Sequence, residues 1–113
     1  MSVHKVSPPK LPKPPAHLSP EMRRWWSAVV AEFVIEDHIL PVLTVAGEAF
    51  DRCQQARRIV DAEGLQQVDR FGQARPHGML AVERDSRLAF DRMVRGLGLE
   101  GAPVPVPARG RAS

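Results

Sequence analysis

The sequence has little of what most enzymes and membrane proteins need. It contains one cysteine, Cys53, among 113 residues, so it cannot form an internal disulfide, and this usage is typical of a reducing compartment. No apolar run approaches the roughly 20 residues needed to cross a bilayer. The opening stretch MSVHKVSPPK has no apolar segment behind its charges, so we expect no secretory signal.

Lysine occurs only near the N-terminus, at Lys5, Lys10 and Lys13. The chain therefore lacks a core lysine for a Schiff base and lacks the G-x-x-x-x-G-K-[ST] phosphate loop. A literal G-x-G-x-x-G occurs at 96–101, but a helix pattern precedes it and prolines follow it. The dinucleotide fingerprint needs a strand before it and a helix after it. We expect no nucleotide cofactor.

Metal-ligating residues are equally sparse. The four histidines are separated from one another and from Cys53, and no C-x-x-C, H-x-x-x-H or H-E-x-x-H spacing is present, so the usual zinc-ligand patterns are missing. Glu83, Asp85 and Asp91 alternate with arginines, which predicts a solvated, ion-paired helix face with Glu83–Arg87 as one of its pairs. We predict no metal, no small-molecule substrate and no enzymatic activity.

Proline is plentiful but concentrated near the two ends. Five of the eleven prolines fall between residues 8 and 15, and three between 103 and 107. Such segments are extended rather than packed, so we predict flexible tails at 1–18 and 101–113 around a folded domain at 19–100. The tails carry three lysines, two arginines and no acid, whereas 19–100 holds eleven arginines and thirteen acids. The basic pI of about 9.8 therefore comes from the tails.

Helical periodicity dominates the middle of the chain. Ser19 and Pro20 form an N-cap and first-turn pair, and an apolar stripe follows from Met22 to Phe33. A second helix is predicted from about 37–38 to Gly64, with Glu48 and Arg52 spaced to pair on its polar side. At 1.5 Å per residue it is about 39 Å long. A compact monomer of this size is only about 30 Å across, so we expect self-association.

The third helix is separated from the second by a different pattern. LQQV and QARP flank the turn-like Asp69-Arg70-Phe71-Gly72, which predicts a short β-hairpin. Helix three should then run from about Met79 to Leu97 and end in a cap at Gly98 and Leu99. The predicted fold is mainly α: three helices, the central one long, with a β-hairpin between helices two and three.

Four aromatic residues lie on these helical stripes and are candidates for the core or an oligomer interface: Trp25, Trp26, Phe50 and Phe90. Neighbours on a helix point about 100° apart, so Trp25 and Trp26 cannot face the same line of core. One should pack internally. The other should cover a second helix, a subunit interface or a nucleic-acid base.

The order of these segments resembles the phage terminase small subunit family, in the compact form of tailed phages and prophages. The resemblance covers roughly residues 14–100. It is carried by PPAHLSPEMRRWW, LTVAGEAFDRCQQAR, VDRFGQARPHGMLAVERDSRLAF and the closing LGL. The family commonly continues with threonine–proline after LGL, whereas this chain has Glu100-Gly101-Ala102-Pro103, which leaves the role of its C-terminal tail open.

The resemblance implies a non-enzymatic adaptor of genome packaging in the cytoplasm of a bacterial host. Such a subunit recognises viral double-stranded DNA, forms a ring-like homo-oligomer and recruits the large subunit, which supplies ATPase and nuclease activity. For phosphate contacts, the candidates are Lys5, Lys10, Lys13, Arg23, Arg24, Arg70 and Arg75. Arg109 and Arg111 are candidates for docking the large subunit, although DNA is an equally open partner for them.

The alternative function is a small helical transcription regulator or antitoxin. That class predicts a dimer and a helix-turn-helix with a short turn, whereas about 14 residues with strand character separate helices two and three here. A hydrolase or metal enzyme lacks a convergent site, and a phage structural connector remains a further alternative.

Overall fold

The computed structural model describes residues 11–99, which form three helices and one β-hairpin. In chain order they are α1 (Pro20–Glu32), a short 3-10 turn (Asp37–Ile39), α2 (Leu40–Glu63), β1 (Gln66–Val68), β2 (Ala74–Pro76) and α3 (Gly78–Gly96). The prediction of a mainly helical fold with a hairpin between the second and third helices is confirmed. Residues 1–10 and 100–113, which hold most of both predicted tails, lie outside the described part.

The predicted caps at the start of α1 and at the ends of α2 and α3 are confirmed. The Ser19 hydroxyl accepts a hydrogen bond from the Met22 amide at 3.1 Å, and Pro20 occupies the first turn of α1. Gly64 closes α2 with φ of 91°, a left-handed conformation that glycine adopts most easily. Gly98 closes α3 with φ of 73°, and the Leu99 amide donates to the Val94 carbonyl, as in a Schellman cap.

α2 starts two to three residues later than its sequence pattern predicts. Residues 37–39 form the 3-10 turn, and α2 itself begins at Leu40 with Pro41 in its first turn. Proline is tolerated there because the first amides of a helix have no intrahelical acceptor. The helix has 24 residues, which corresponds to about 36 Å.

α2 and α3 are joined by the hairpin and pack side by side over most of their lengths, with α1 beside them. The core cluster comes from α1, α2 and the two flanking segments: Leu18, Met22, Trp25, Trp26, Val29, Val30, Leu43, Ala46 and Leu99. Partly buried residues of α3, such as Phe90 and Met93, pack against it. α1 has only 13 residues, about 20 Å of helix. It therefore covers only the half of α2 that carries Leu43 and Gly47, and among residues 11–99 the half nearer the hairpin packs on α3 alone.

The packed region begins before Ser19. Leu18, which the proline pattern assigns to the tail, is 2% exposed and belongs to the core. It lies against α2 where Gly47 leaves room for it, since a Cβ at Gly47 would stand 3.1 Å from the Leu18 Cδ1 atom. His17 bonds Glu48 at 2.7 Å, and the Ser19 amide donates to Asp51 at 2.8 Å. The segment just before α1 is thus attached to α2.

The expectation of a solvated Glu83 is wrong. Glu83 is buried, and its Oε2 accepts from Arg57 on α2 at 2.7 Å and from Arg87 on α3 at 2.9 Å. The α2 side chains buried in this half of the helix pair are Cys53, Ala56 and Val60, none of them aromatic. The carboxylate therefore lies between the helices and is compensated by two guanidinium groups.

We predict that Leu18→Ala lowers the free energy of unfolding by about 2–5 kcal/mol, because it leaves a cavity in the core. The measurement is urea denaturation followed by circular dichroism. Leu11→Ala is the matched control, since Leu11 is 54% exposed and its truncation should change stability by less than about 0.5 kcal/mol. Equal stability of the two variants would show that Leu18 is not part of the core.

Candidate nucleic-acid interface

The predicted phosphate-binding residues that the structure describes fall into two groups. Lys13, Arg23 and Arg24 lie on and before α1, and Arg70 and Arg75 lie on the hairpin. Lys5, Lys10, Arg109 and Arg111 fall outside the described residues.

In the α1 group, Arg23 and Arg24 differ in what they contact. Nη1 of Arg23 donates to the backbone carbonyls of Ala16 and Leu18, so this guanidinium holds the segment before α1 in place. Arg24 is exposed, whereas Arg23 is half-buried, although both line a shallow depression with Pro14 and Ser27. Arg24 is therefore better placed than Arg23 to contact a phosphate.

In the hairpin group, Arg70 and Arg75 also differ. Arg70 is exposed in the turn, and its guanidinium carbon lies 5.1 Å from the ring centroid of Phe71, a cation–π geometry. Nε of Arg75 donates to Asp69 at 3.0 Å, which offsets its charge. Phe71 is itself 72% exposed. The turn thus presents an arginine on an aromatic ring to solvent.

Asp69 organises the hairpin turn. Its Oδ1 accepts from the Phe71 amide at 2.8 Å and from the Gln73 amide at 2.9 Å, while Oδ2 accepts from Arg75. The hydrogen bond from the Gln73 amide, followed by that from Arg75, lowers the pKa of the Asp69 carboxyl below its ordinary 3.8. The same contacts hold β1 and β2 in an antiparallel register in which Gln67 pairs with Arg75.

The two groups are not brought together in one copy of the chain. The α1 group is attached to the middle of α2 through the Ser19–Asp51 hydrogen bond, and the hairpin follows the far end of that helix. The twelve helical steps from Asp51 to Glu63 account for about 18 Å. A single copy therefore offers two separated basic points rather than one continuous basic surface.

Trp25 and Trp26 are both buried, at 5% and 3% exposure. The Trp25 ring lies 5.3 Å from Phe90, which in turn lies 5.3 Å from Phe50. Trp26 points toward α2, where its indole N–H donates to the Thr44 hydroxyl at 3.2 Å. All four aromatic candidates thus pack within the chain, and neither tryptophan has a free face for a base or a second copy.

Two polar residues with defined roles escape sequence reasoning. His77 is 4% exposed, its Nδ1 accepts from the Met79 amide at 3.0 Å, and its Nε2 lies 2.7 Å from Glu63. It caps α3 and bonds the end of α2. Glu83 is the second: its pair with Arg87 was predicted and is present, but its contact with Arg57 on α2 was not, and the hydrogen bond and charge of Glu83 raise the pKa of Arg57. The only sequence signal for His77 is its place directly before a helical pattern.

Two observations bear on metal-binding and thiol chemistry in the described part of the chain. No group of three or more His, Cys, Asp or Glu residues within 11–99 is placed to hold a metal ion. Cys53 is buried, and desolvation raises the pKa of its thiol, which disfavours the nucleophilic thiolate. No helix in this part of the chain is long and apolar enough to cross a membrane.

Comparison with known proteins returns nothing: no protein-family model, no curated protein and no solved structure matches this chain.

We predict that Asp69 titrates with a midpoint below 3.8, as measured by the carboxyl carbon shift in NMR. Because the pKa is lowered in the folded state, the stabilisation is present above the ordinary value and is lost as pH falls through the folded one. Arg75→Gln should move the midpoint up toward 3.8. Arg84→Gln is the control, since Arg84 pairs with Asp85 and not with the turn. An unchanged midpoint in Arg75→Gln would contradict the assignment.

Proposed function

We propose that the chain is a DNA-recognition and adaptor subunit of a viral genome-packaging motor, similar to a phage terminase small subunit. In this role it holds double-stranded DNA, assembles into a homo-oligomeric ring and recruits a large subunit that supplies ATPase and nuclease activity. It performs no catalysis itself and works in the cytoplasm of a bacterial host.

The observation that carries this proposal is how the family-like string VDRFGQARPHGMLAVERDSRLAF folds. It forms the hairpin turn, β2 and most of α3, and its polar residues have specific partners. Asp69 holds the turn, His77 caps α3 and bonds α2, and Glu83 joins α2 to α3. The resemblance thus rests on residues that this fold needs, rather than on composition alone.

The distribution of charge favours DNA contact at separate arginine side chains rather than over a continuous basic surface. Residues 19–100 carry two more acids than arginines, so the folded region as a whole repels a polyanion weakly. Arg24 and Arg70 are the arginines of the two groups that are exposed and form none of the ion pairs of the described residues. Repetition of these two points around an oligomer would multiply weak single contacts.

The alternative of a helical transcription regulator has no observation in its favour. The recognition helix of a helix-turn-helix follows a turn of three to four residues. Here the hairpin and its flanks separate α2 from α3, and the two helices pack along each other.

We predict that binding to a 30-bp duplex weakens with salt, and that Arg70→Gln and Arg24→Gln each reduce the salt slope by about one unit per lost contact. Fluorescence anisotropy between about 50 and 200 mM salt measures this slope. Arg84→Gln removes the same charge from an arginine outside both groups and should leave the slope unchanged. Deletion of residues 2–10 tests Lys5 and Lys10 while keeping the core residue Leu18.

The adaptor role has its own test. The full chain should co-purify with the large terminase subunit encoded in the same genome, and its mass in solution should be that of a higher oligomer. A chain that binds neither DNA nor that subunit would contradict the proposed function.

A further inference from the structure

The hairpin of β1 and β2 is held in a defined shape, yet it is exposed to solvent. At its tip the Asp69 amide donates to the Gln73 carbonyl and the Gly72 amide donates to the Asp69 carbonyl, both at 2.9 Å. At its base the His77 amide donates to the Leu65 carbonyl at 2.8 Å. All six strand residues are nevertheless exposed. The chain thus fixes a short two-stranded ribbon that its own helices leave uncovered.

The two faces of this ribbon differ in what they contact. Side chains alternate between the faces of a strand, and residues paired across the strands share a face. Gln67 and Arg75 form one face, and the Gln67 side chain accepts from the Gly78 amide at 3.1 Å, so this face is bonded back to α3. The opposite face, which we call the outward face, holds two pairs: Gln66 with Pro76 and Val68 with Ala74.

The outward face offers one polar group beside apolar ones. Val68 is 73% exposed, and Ala74 and Pro76 are exposed as well. The Gln66 side chain takes part in none of the hydrogen bonds found among residues 11–99. Its carboxamide therefore offers donors and an acceptor to a partner, next to apolar surface that gains free energy when it is covered.

The charge of the hairpin favours an anionic partner. Residues 65–76 contain two arginines and one acid. That acid, Asp69, is already bonded to two turn amides and to Arg75. Arg70 at the tip is exposed and forms none of the ion pairs found among residues 11–99. A partner that approaches the ribbon therefore meets an uncompensated positive charge, which complements the phosphates of DNA.

The dimensions of the ribbon fit the major groove of B-DNA. Paired strands lie about 4.8 Å apart, and the major groove, about 12 Å wide, admits a two-stranded β-ribbon, whereas the minor groove is only about half as wide. A strand rises about 3.4 Å per residue, which is close to the spacing of about 3.4 Å between successive nucleotides of one DNA strand. When the strand follows the groove, Gln66 and Val68 therefore face base pairs two steps apart.

The side chains of the outward face match the major-groove edge of an A·T pair. A glutamine carboxamide can accept from the adenine N6 amino group and donate to adenine N7, and small apolar side chains contact the thymine methyl group. Gln66 has the free carboxamide that the first contact needs. Val68 and Ala74, paired beside it on the same face, have the apolar surface that the second needs.

We propose that the hairpin enters the major groove with its outward face toward the bases and selects A·T pairs there. Gln66 contacts adenine, Val68 and Ala74 contact thymine methyl groups, and Arg70 binds a phosphate at the edge of the groove. This inference rests on the DNA-binding function proposed above and adds to it the element that recognises sequence.

The base preference is measured on the full chain by fluorescence anisotropy at one fixed salt concentration. The two probes are 30-bp duplexes, one of A·T pairs only and one of G·C pairs only. The wild type should bind the A·T duplex at least about fivefold more tightly, the lower end of what one bidentate contact discriminates. Gln66→Ala should lose most of this preference. Gln55→Ala is the matched control, because it removes an exposed glutamine from α2, and it should keep the preference.

A modified duplex tests the apolar contact separately. Replacing every thymine by uracil removes only the C5 methyl group and keeps base pairing. The wild type should bind the uracil duplex about fourfold more weakly, as expected for the burial of one methyl group. Val68→Ser should lose most of this difference, whereas Gln55→Ala should keep it. Circular dichroism should show that the variants are folded, since both hairpin positions are exposed.

Equal base preference in Gln66→Ala and Gln55→Ala, or equal affinity for thymine and uracil duplexes, would overturn the proposal. So would hairpin variants that bind DNA normally but no longer co-purify with the large subunit, because the outward face would then be a protein-docking surface. A chain that binds neither duplex rejects the proposed function together with this inference. Salt-dependent binding that is weakened by Arg24→Gln but shows no base preference rejects the hairpin contact alone.

Discussion

The structure depends on one mismatch of lengths. α2 extends for about 36 Å and α1 for about 20 Å, so residues 11–99 contain too little helix to enclose α2 from every side. Where α1 is present, a core of large side chains forms around Trp25, Trp26 and Leu43. Where it is absent, α2 and α3 touch through small residues and a carboxylate. The partial exposure of Val42, Val45 and Ile59 on α2 follows from this uneven coverage. So does the separation of Arg24 on α1 from Arg70 on the hairpin.

The buried ion pairs of Glu83 with Arg57 and Arg87 join α2 to α3 in the half of the helix pair that α1 does not cover. Glu83 has a guanidinium on each helix within 2.9 Å, so its charge is compensated although the side chain is buried. Such pairs add little net stability compared with apolar packing, but removing one partner leaves a costly unpaired charge. Their value lies in geometry, since Arg57 and Arg87 can meet one oxygen only when α2 and α3 are in register. The cap at His77 and Glu63 fixes the same register one step nearer the hairpin.

Sequence reasoning succeeded where structure is decided locally and failed where it is decided by distant partners. The caps at Ser19, Gly64 and Gly98 depend on one residue and its nearest backbone, and all three were predicted. The proline pattern assigns Leu18 to the tail, yet Gly47, far along the chain, leaves the room that Leu18 occupies. Glu48 was expected to pair with Arg52 and instead bonds His17. No periodicity encodes these contacts, because they arise only when the helices are brought together.

The same uneven coverage bears on how a mildly acidic domain could hold DNA. One copy presents Arg24 and Arg70 at places separated by much of α2, and neither point alone neutralises more than one phosphate. In the proposed homo-oligomer this balance would change, because each added copy would contribute one more Arg24 and one more Arg70. DNA contact by a mildly acidic domain would therefore depend on assembly, since the separated arginines of one copy make only weak single contacts.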